Sequence, residues 1–183
     1  YNTDFAQVEA DDQQINLDRF SLFFPEKRAF FLENAGLFSV GTGGGYFGPD
    51  IEMFFSRRIG VGPSGEPVPI LGGGRLTGTV GGMKIGLLSM GTKAVKGITD
   101  ANQYSLFRLK KELPNRTHFG GMVTALNHGG AEGYLNQSYS LDSQIGIGQL
   151  SKFIVFGAIT ETPWMDNDNA YAYRFELARD TKQ

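Results

Sequence analysis

His118 and His128 are the first residues to weigh for metal or acid–base chemistry, and they stand ten residues apart. On one extended strand and its exit loop, a rise of ~3.3 Å per residue separates them by about 30 Å, too far to share an ion. Asp11 with Asp12, and Asp166 with Asp168, lack the spacing of a calcium loop. Two glycine runs, Gly43 to Gly48 and Gly60 to Gly65, match the G-x-G-x-x-G pattern. Holding a pyrophosphate on such a run requires a strand before it and a helix N-terminus after it. The text "PDIEMFF" after the first reads extended, and "EPVPILGGG" after the second carries Pro67 and Pro69, so both runs are loops. Paired carboxylates for glycoside hydrolysis must meet in space, which distance along the chain does not reveal. These residues identify no catalytic, cofactor-binding or metal-binding side chain, and no cofactor is expected.

Composition narrows the class further. The net charge of −2 offers no electrostatic footprint for nucleic acid. The absence of cysteine removes disulfides, thiolate metal sites and cysteine nucleophiles together. That usage fits a periplasmic or surface-exposed bacterial protein as well as many cytosolic ones. Glycine reaches 26 of 183 residues, about twice the ordinary ~7% usage. Spread through strand-like text, it implies many turns and close backbone approaches. No apolar run approaches the ~18 residues of a spanning helix. The chain opens on "YNTDFAQVE" and closes on "RDTKQ", and reads as an excerpt of a longer protein.

The elements that must position any functional group change character near residue 50. Beyond it, strands are predicted at 52–59, 70–80, 83–93, 103–112, 117–127, 135–147, 153–162 and 170–179. Several alternate with period two. In the sixth, Leu135, Tyr139, Leu141, Ile145 and Ile147 share a side, with Gln137 and Ser143 as exceptions. In the eighth, Tyr171, Tyr173, Phe175 and Leu177 oppose Ala172, Arg174, Glu176 and Ala178. In the second, Leu76 and Val80 oppose Arg75, Thr77 and Thr79. The fifth and seventh strands do not declare a face.

Connections alternate as well: short at 81–82, 113–116 and 148–152, long at 60–69, 94–102, 128–134 and 163–169. An up-and-down antiparallel meander whose two ends meet different environments has this pattern, as outer-membrane barrels do. Tyr104, Tyr134, Tyr139, Tyr171, Tyr173 and Trp164 each lie near a strand end that joins a long link. A band of amphipathic rings suits one bilayer interface, and Phe119 and Phe153 are placed to form the opposite girdle. Strands of ~10 residues with one apolar and one polar side fit a soluble sandwich equally well. In a barrel, Arg75, Arg108, Lys110, Asp142, Arg174 and Glu176 would line the lumen. Link alternation and one-sided tyrosines favour the barrel.

The first 49 residues form a separate, irregular segment. "FFPEKRAFFLENAGLF" sets five phenylalanines among Glu26, Lys27, Arg28 and Glu33. Pro25 suits a first helical position and Gly36 the residue past a helix end, which predicts a short helix over 25–34. A glycine loop follows over 41–48.

This segment, "NTDFAQVEADDQQINLDRFSLFFPEKRAFFLENAGLF", with "MFFSRRIG" and "ILGGGRLTG" after it, resembles a domain of unknown function in bacterial outer-membrane barrel proteins. That domain usually follows a family-9-type carbohydrate-binding module. The resemblance is dense from Asn2 to Gly78 and thins to a strand pattern beyond. It implies that Asp4, Glu9, Asp18, Arg19, Glu26, Lys27, Arg28, Glu33, Arg57 and Arg58 belong to a signature, and assigns none of them to catalysis.

The combined expectation is part of an outer-membrane barrel with a lipid bilayer around it, its closing strands lying beyond this chain. A plug within it would draw on Glu26, Arg28, Glu33, Arg57, Arg58 and Arg75, since ionic groups in a confined lumen must be paired or wet. Its function would be binding or passage of carbohydrate-like ligands with the upstream module. The alternatives are part of a glycan-processing hydrolase and a soluble β-sandwich binding module.

Overall fold

Period-two alternation folds into one sheet. The computed structural model describes residues 26–40, 52–130, 133–163 and 170–179. Seven strands follow in chain order: β1 (Ile70–Val80), β2 (Met83–Thr92), β3 (Asn102–Leu113), β4 (Thr117–His128), β5 (Tyr134–Ile147), β6 (Ser151–Glu161) and β7 (Tyr171–Arg179). Each pairs antiparallel with the next, in the order β1-β2-β3-β4-β5-β6-β7. The fold is all-β, an up-and-down meander.

Turn chemistry fixes one rim. Gly81 and Gly82, at φ 57 and 72, close the β1–β2 hairpin with the two positive φ values its twist requires. Asn115 and Arg116 do the same between β3 and β4, at φ 60 and 55. That costlier arrangement is held by Asn115 Nδ2 donating to the Gly146 carbonyl at 2.6 Å and Gln144 Nε2 donating to the Arg116 carbonyl at 2.9 Å. The longer links, 93–101, 129–133 and 162–170, join β2 to β3, β4 to β5 and β6 to β7, so short and long links alternate along the chain.

Register assigns the two faces. Arg75 pairs with Leu88, Leu88 with Leu106, Arg108 with Met122, and Met122 with Ser140. Lys110 and Asp142 both pair with Gly120, Phe156 with Asp142 and Arg174, and Glu176 with Ile154. All six expected lining charges therefore share one face, here called inner. The outer face carries Leu76, Leu87, Phe107, Phe119, Leu141, Phe175 and Leu177, all exposed, Leu141 by 73% and Leu177 by 71%. Period two thus divides the sheet into an apolar exposed side and a polar side.

A hydrophobic cluster covers part of the inner face. Phe31, Phe38, Val40 and Ile59 pack with Ile70, Leu88, Met90, Leu106, Met122 and Phe156. Each such side chain, taken from water, contributes ~1.5–3 kcal/mol. This cluster explains why the strands at 117–127 and 153–162 declared no face. Met122 and Phe156 put apolar groups inward while Phe119, Val123, Phe153 and Val155 stay outward.

Three expectations are corrected. The region 52–59 is no strand: Ser56–Arg58 forms a 3-10 turn, and the carbonyls of Ser56 and of Ile59 just after it accept from Arg28 instead of a neighbouring strand. The helix expected over 25–34 is two single turns, α1 (Ala29–Leu32) and α2 (Ala35–Phe38). The break falls at Asn34, which is left-handed at φ 51, and Gly36 lies inside the second turn. The tyrosines do lie toward the long-link rim, but not all can join an outward girdle: Tyr139, Tyr171 and Tyr173 face outward, whereas Tyr104 and Tyr134 share the inner face with Leu106 and His128. Pro25, the loop at 41–48 and Trp164 lie outside the described residues.

Candidate functional site

Three arginines attach the helical turns to their surroundings. Arg28, just before α1, is buried. Its Nε and Nη2 donate to the Glu26 carboxylate at 2.9 and 2.7 Å, and Nη1 and Nη2 donate to the carbonyls of Ile59 at 3.0 Å and Ser56 at 2.8 Å. The Ser56 hydroxyl donates to Glu26 at 2.6 Å, and the guanidinium lies 4.2 Å from the centre of the Phe31 ring. A buried cation is tolerable when its fork of donors is met in this way. Burial pushes the Glu26 carboxyl up, but hydrogen bonds from Arg28 and Ser56 more than offset it and hold the group below its ordinary 4.5.

Arg75 reaches from β1 to the break between the turns. It donates to the Glu33 carbonyl and pairs with the Glu33 carboxylate at 2.6 Å, and its guanidinium lies 5.3 Å from the Phe30 ring centre. The Glu33 carboxylate is 74% exposed and the Arg75 side chain 6%. The wall thus catches the turn mainly through a buried cation.

Arg108 of β3 is the largest fully buried side chain among the described residues. It crosses β4 at Gly120 and forks onto Asp142 of β5, with Nη2 at 2.9 Å from Oδ2, while Nε donates to the Leu37 carbonyl of α2 at 3.2 Å. A Cβ at position 120 would lie 2.6 Å from both terminal guanidinium nitrogens. Glycine here is the space through which the arginine passes. His118 Nε2 lies 3.5 Å from the same carboxylate. Beside this pair the Phe38 ring rests on Gly86 of β2, 2.6 Å from where a Cβ would stand.

Among the anticipated residues, two ion pairs are formed. Glu26 pairs with Arg28, and Glu33 with Arg75. Arg57 is buried in the 3-10 turn, and Arg58 beside it is exposed. Alternation had placed Arg108 and Asp142 on one side, but their joining across an intervening strand depends on Gly120, a residue with no polar signal. Sequence reasoning also passed over Lys84, Glu112 and His118 as partners, although the two-residue turn at Gly81–Gly82 sets Lys84 opposite Thr79 on the inner face. His128 lies at the other rim, its Nδ1 2.5 Å from the Asn102 Oδ1 and its ring 4.8 Å from that of Tyr134. Among the described residues, no group of three His, Asp or Glu side chains could hold a metal ion.

Two clefts remain around the helical turns. One of about 280 Å³ lies between α1, α2 and the 3-10 turn, lined by Phe31, Phe38, Phe54, Ser56 and Arg75. The other, about 410 Å³, opens between α2 and the first three strands, toward the short-turn rim. The arrangement can hold a folded segment firmly on a polar wall, with most guanidinium donors satisfied by that segment, and leaves lysines to meet anything entering the second cleft.

Residues 2–72 match the family model of a domain of unknown function, DUF5916. No curated protein and no solved structure matches the chain.

Proposed function

We propose that this chain is part of a bacterial outer-membrane β-barrel, non-enzymatic in itself, with the segment bearing α1 and α2 as a plug on its lumenal wall. Together with an upstream binding module, the whole protein binds or passes carbohydrate-like ligands. The observation that carries the reading is the one-sidedness of the sheet. An apolar face runs bare from β1 to β7, while the charged face is paired and partly covered. Water-soluble chains rarely expose apolar patches beyond a few hundred Å², whereas strands in a bilayer turn their apolar side to lipid and their polar side inward. Alternating short and long links support the same orientation, with the short turns toward the periplasm. The ligand class is supported by the resemblance of the N-terminal segment and by the hydroxyls, amides and charges of the inner face.

The test is fractionation of the whole protein. It should sediment with outer membranes and change gel mobility on heating; a protein that stays in solution without detergent would end the reading. The plug has its own readout. Replacing Arg28 and Glu33 with alanine should raise single-channel conductance, and unchanged conductance would remove the plug while leaving the barrel.

A further inference from the structure

The cleft of about 410 Å³ under α2 is built asymmetrically in charge. Its ionic lining is Lys84, Lys110 and Glu112. Lys84 and Lys110 are direct cross-strand partners on the inner face, and like charges in that position repel. Glu112 stands between them, 2.8 Å from Lys84 Nζ and 3.5 Å from Lys110 Nζ. One carboxylate shared by two ammonium groups leaves the cleft one positive charge in excess. The Lys84 and Glu112 side chains are each about half exposed, so the charge is open to an incoming ligand.

The uncharged lining is rich in oxygen and nitrogen. Thr77 and Thr79 of β1 face the lysines, and Asn34 reaches in from the break between the turns, its Nδ2 3.2 Å from the Thr77 hydroxyl. Arg108, two residues from Lys110 on the same face of β3, is committed to Asp142 and the Leu37 carbonyl. The volume falls within the ~300–1,000 Å³ of ordinary ligand sites.

We propose that this cleft is a binding subsite for a hydroxylated carboxylate, an acid sugar rather than a neutral one. The carboxylate spans Lys84 and Lys110, and its hydroxyls meet Thr77, Thr79 and Asn34. This rests on the reading of the inner face as a lumen, and gives that lumen a preferred charge.

The experiment is calorimetric titration of the whole protein in detergent with a galacturonic acid trimer and, separately, a neutral galactose trimer. The acid should bind at least about tenfold tighter, and the advantage should shrink in about 0.5 M sodium chloride as screening shortens the lysines' reach. The double variant Lys84→Gln, Lys110→Gln should bind both trimers alike, and Glu112→Gln should increase the preference for the acid. Equal affinities in the unaltered protein, no binding of the acid, or a preference that survives in the double variant would each overturn the subsite. Circular dichroism on the same samples shows that every variant is folded, and heat-modifiable mobility separates the two readings. If mobility still shifts but the acid has no advantage, the subsite fails and the barrel stands. Selective binding without the shift would keep the site and remove the barrel.

Discussion

The two faces of this sheet come from the same strands and the same alternation, yet they solve opposite problems. On the outer face, Leu76, Leu141, Tyr173, Phe175 and Leu177 each expose about two thirds or more of their surface and need no partner within the chain. On the inner face, charged groups are met: Arg108 by Asp142 and the Leu37 carbonyl, Arg75 by Glu33, Lys84 by Glu112, Arg174 by Glu176. The difference teaches where specificity resides. Apolar contact with a fluid surrounding is non-directional and tolerates exchange of one large side chain for another. Guanidinium–carboxylate and guanidinium–carbonyl contacts are directional, so the inner face dictates where the helical turns sit.

The largest effect should come from breaking the most buried inner pair. Arg108→Ala leaves Asp142 without its main partner and frees the Leu37 carbonyl, and should cost ~3–5 kcal/mol in urea unfolding from phospholipid vesicles. Replacing both members together, Arg108→Met with Asp142→Leu, should recover much of that loss. A single variant as stable as the unaltered protein would show that the inner face is not organised by its charges.

Next comes a charge on the opposite face. Leu141→Arg, in the middle of β5, should cost ~2–4 kcal/mol in vesicles if that face meets hydrocarbon. Thr79→Arg, on the inner face near the short-turn rim, should change stability by less than about 1 kcal/mol. Equal tolerance at the two positions would erase the proposed difference between the faces.

The same one-carbon addition separates the faces more finely. Gly86→Ala drives a methyl into the Phe38 ring and should destabilise by ~1–3 kcal/mol. Gly157→Ala on the outer face meets nothing within 4 Å and should stay within about 0.5 kcal/mol, as surface changes do. Circular dichroism melts of the two variants in one detergent would suffice.

The smallest effect concerns acid. Because the Glu26 carboxyl is held below its ordinary 4.5, its contribution is fully present above that pH and fades as the pH falls through the lowered value. The stability advantage of the unaltered protein over Glu26→Gln should therefore be constant near neutrality and vanish on acidification. An advantage that grows as the pH drops would reverse the sign and place the carboxyl elsewhere.

Much of this fold was legible because a strand reports its faces every second residue. Tyr171 to Leu177 announced theirs throughout and Leu135 to Ile147 with two exceptions, and seven of the eight predicted strands match observed ones to within two residues at each end. Legibility failed where a local signal was overruled from a distance. "MFFSRRIG" carries strand-like bulk, but Arg28 draws in the Ser56 and Ile59 carbonyls and turns the chain. "PEKRAFFLENAG" has helical punctuation, but Asn34 breaks it beside the Arg75–Glu33 contact. Tyr104 and Tyr134 follow the inner parity of their own strands, whatever their nearness to a rim.

By itself, the amino-acid sequence determined the antiparallel meander, the parity of its charges and the alternation of its connections. These depend on side-chain period and turn residues, both local properties. Tertiary structure alone decided which charge meets which, since Arg108 reaches Asp142 only where Gly120 leaves room and a covering turn supplies a carbonyl. Pairing of that kind is set by three strands and a helical turn brought together in space, and no single stretch of the chain encodes it.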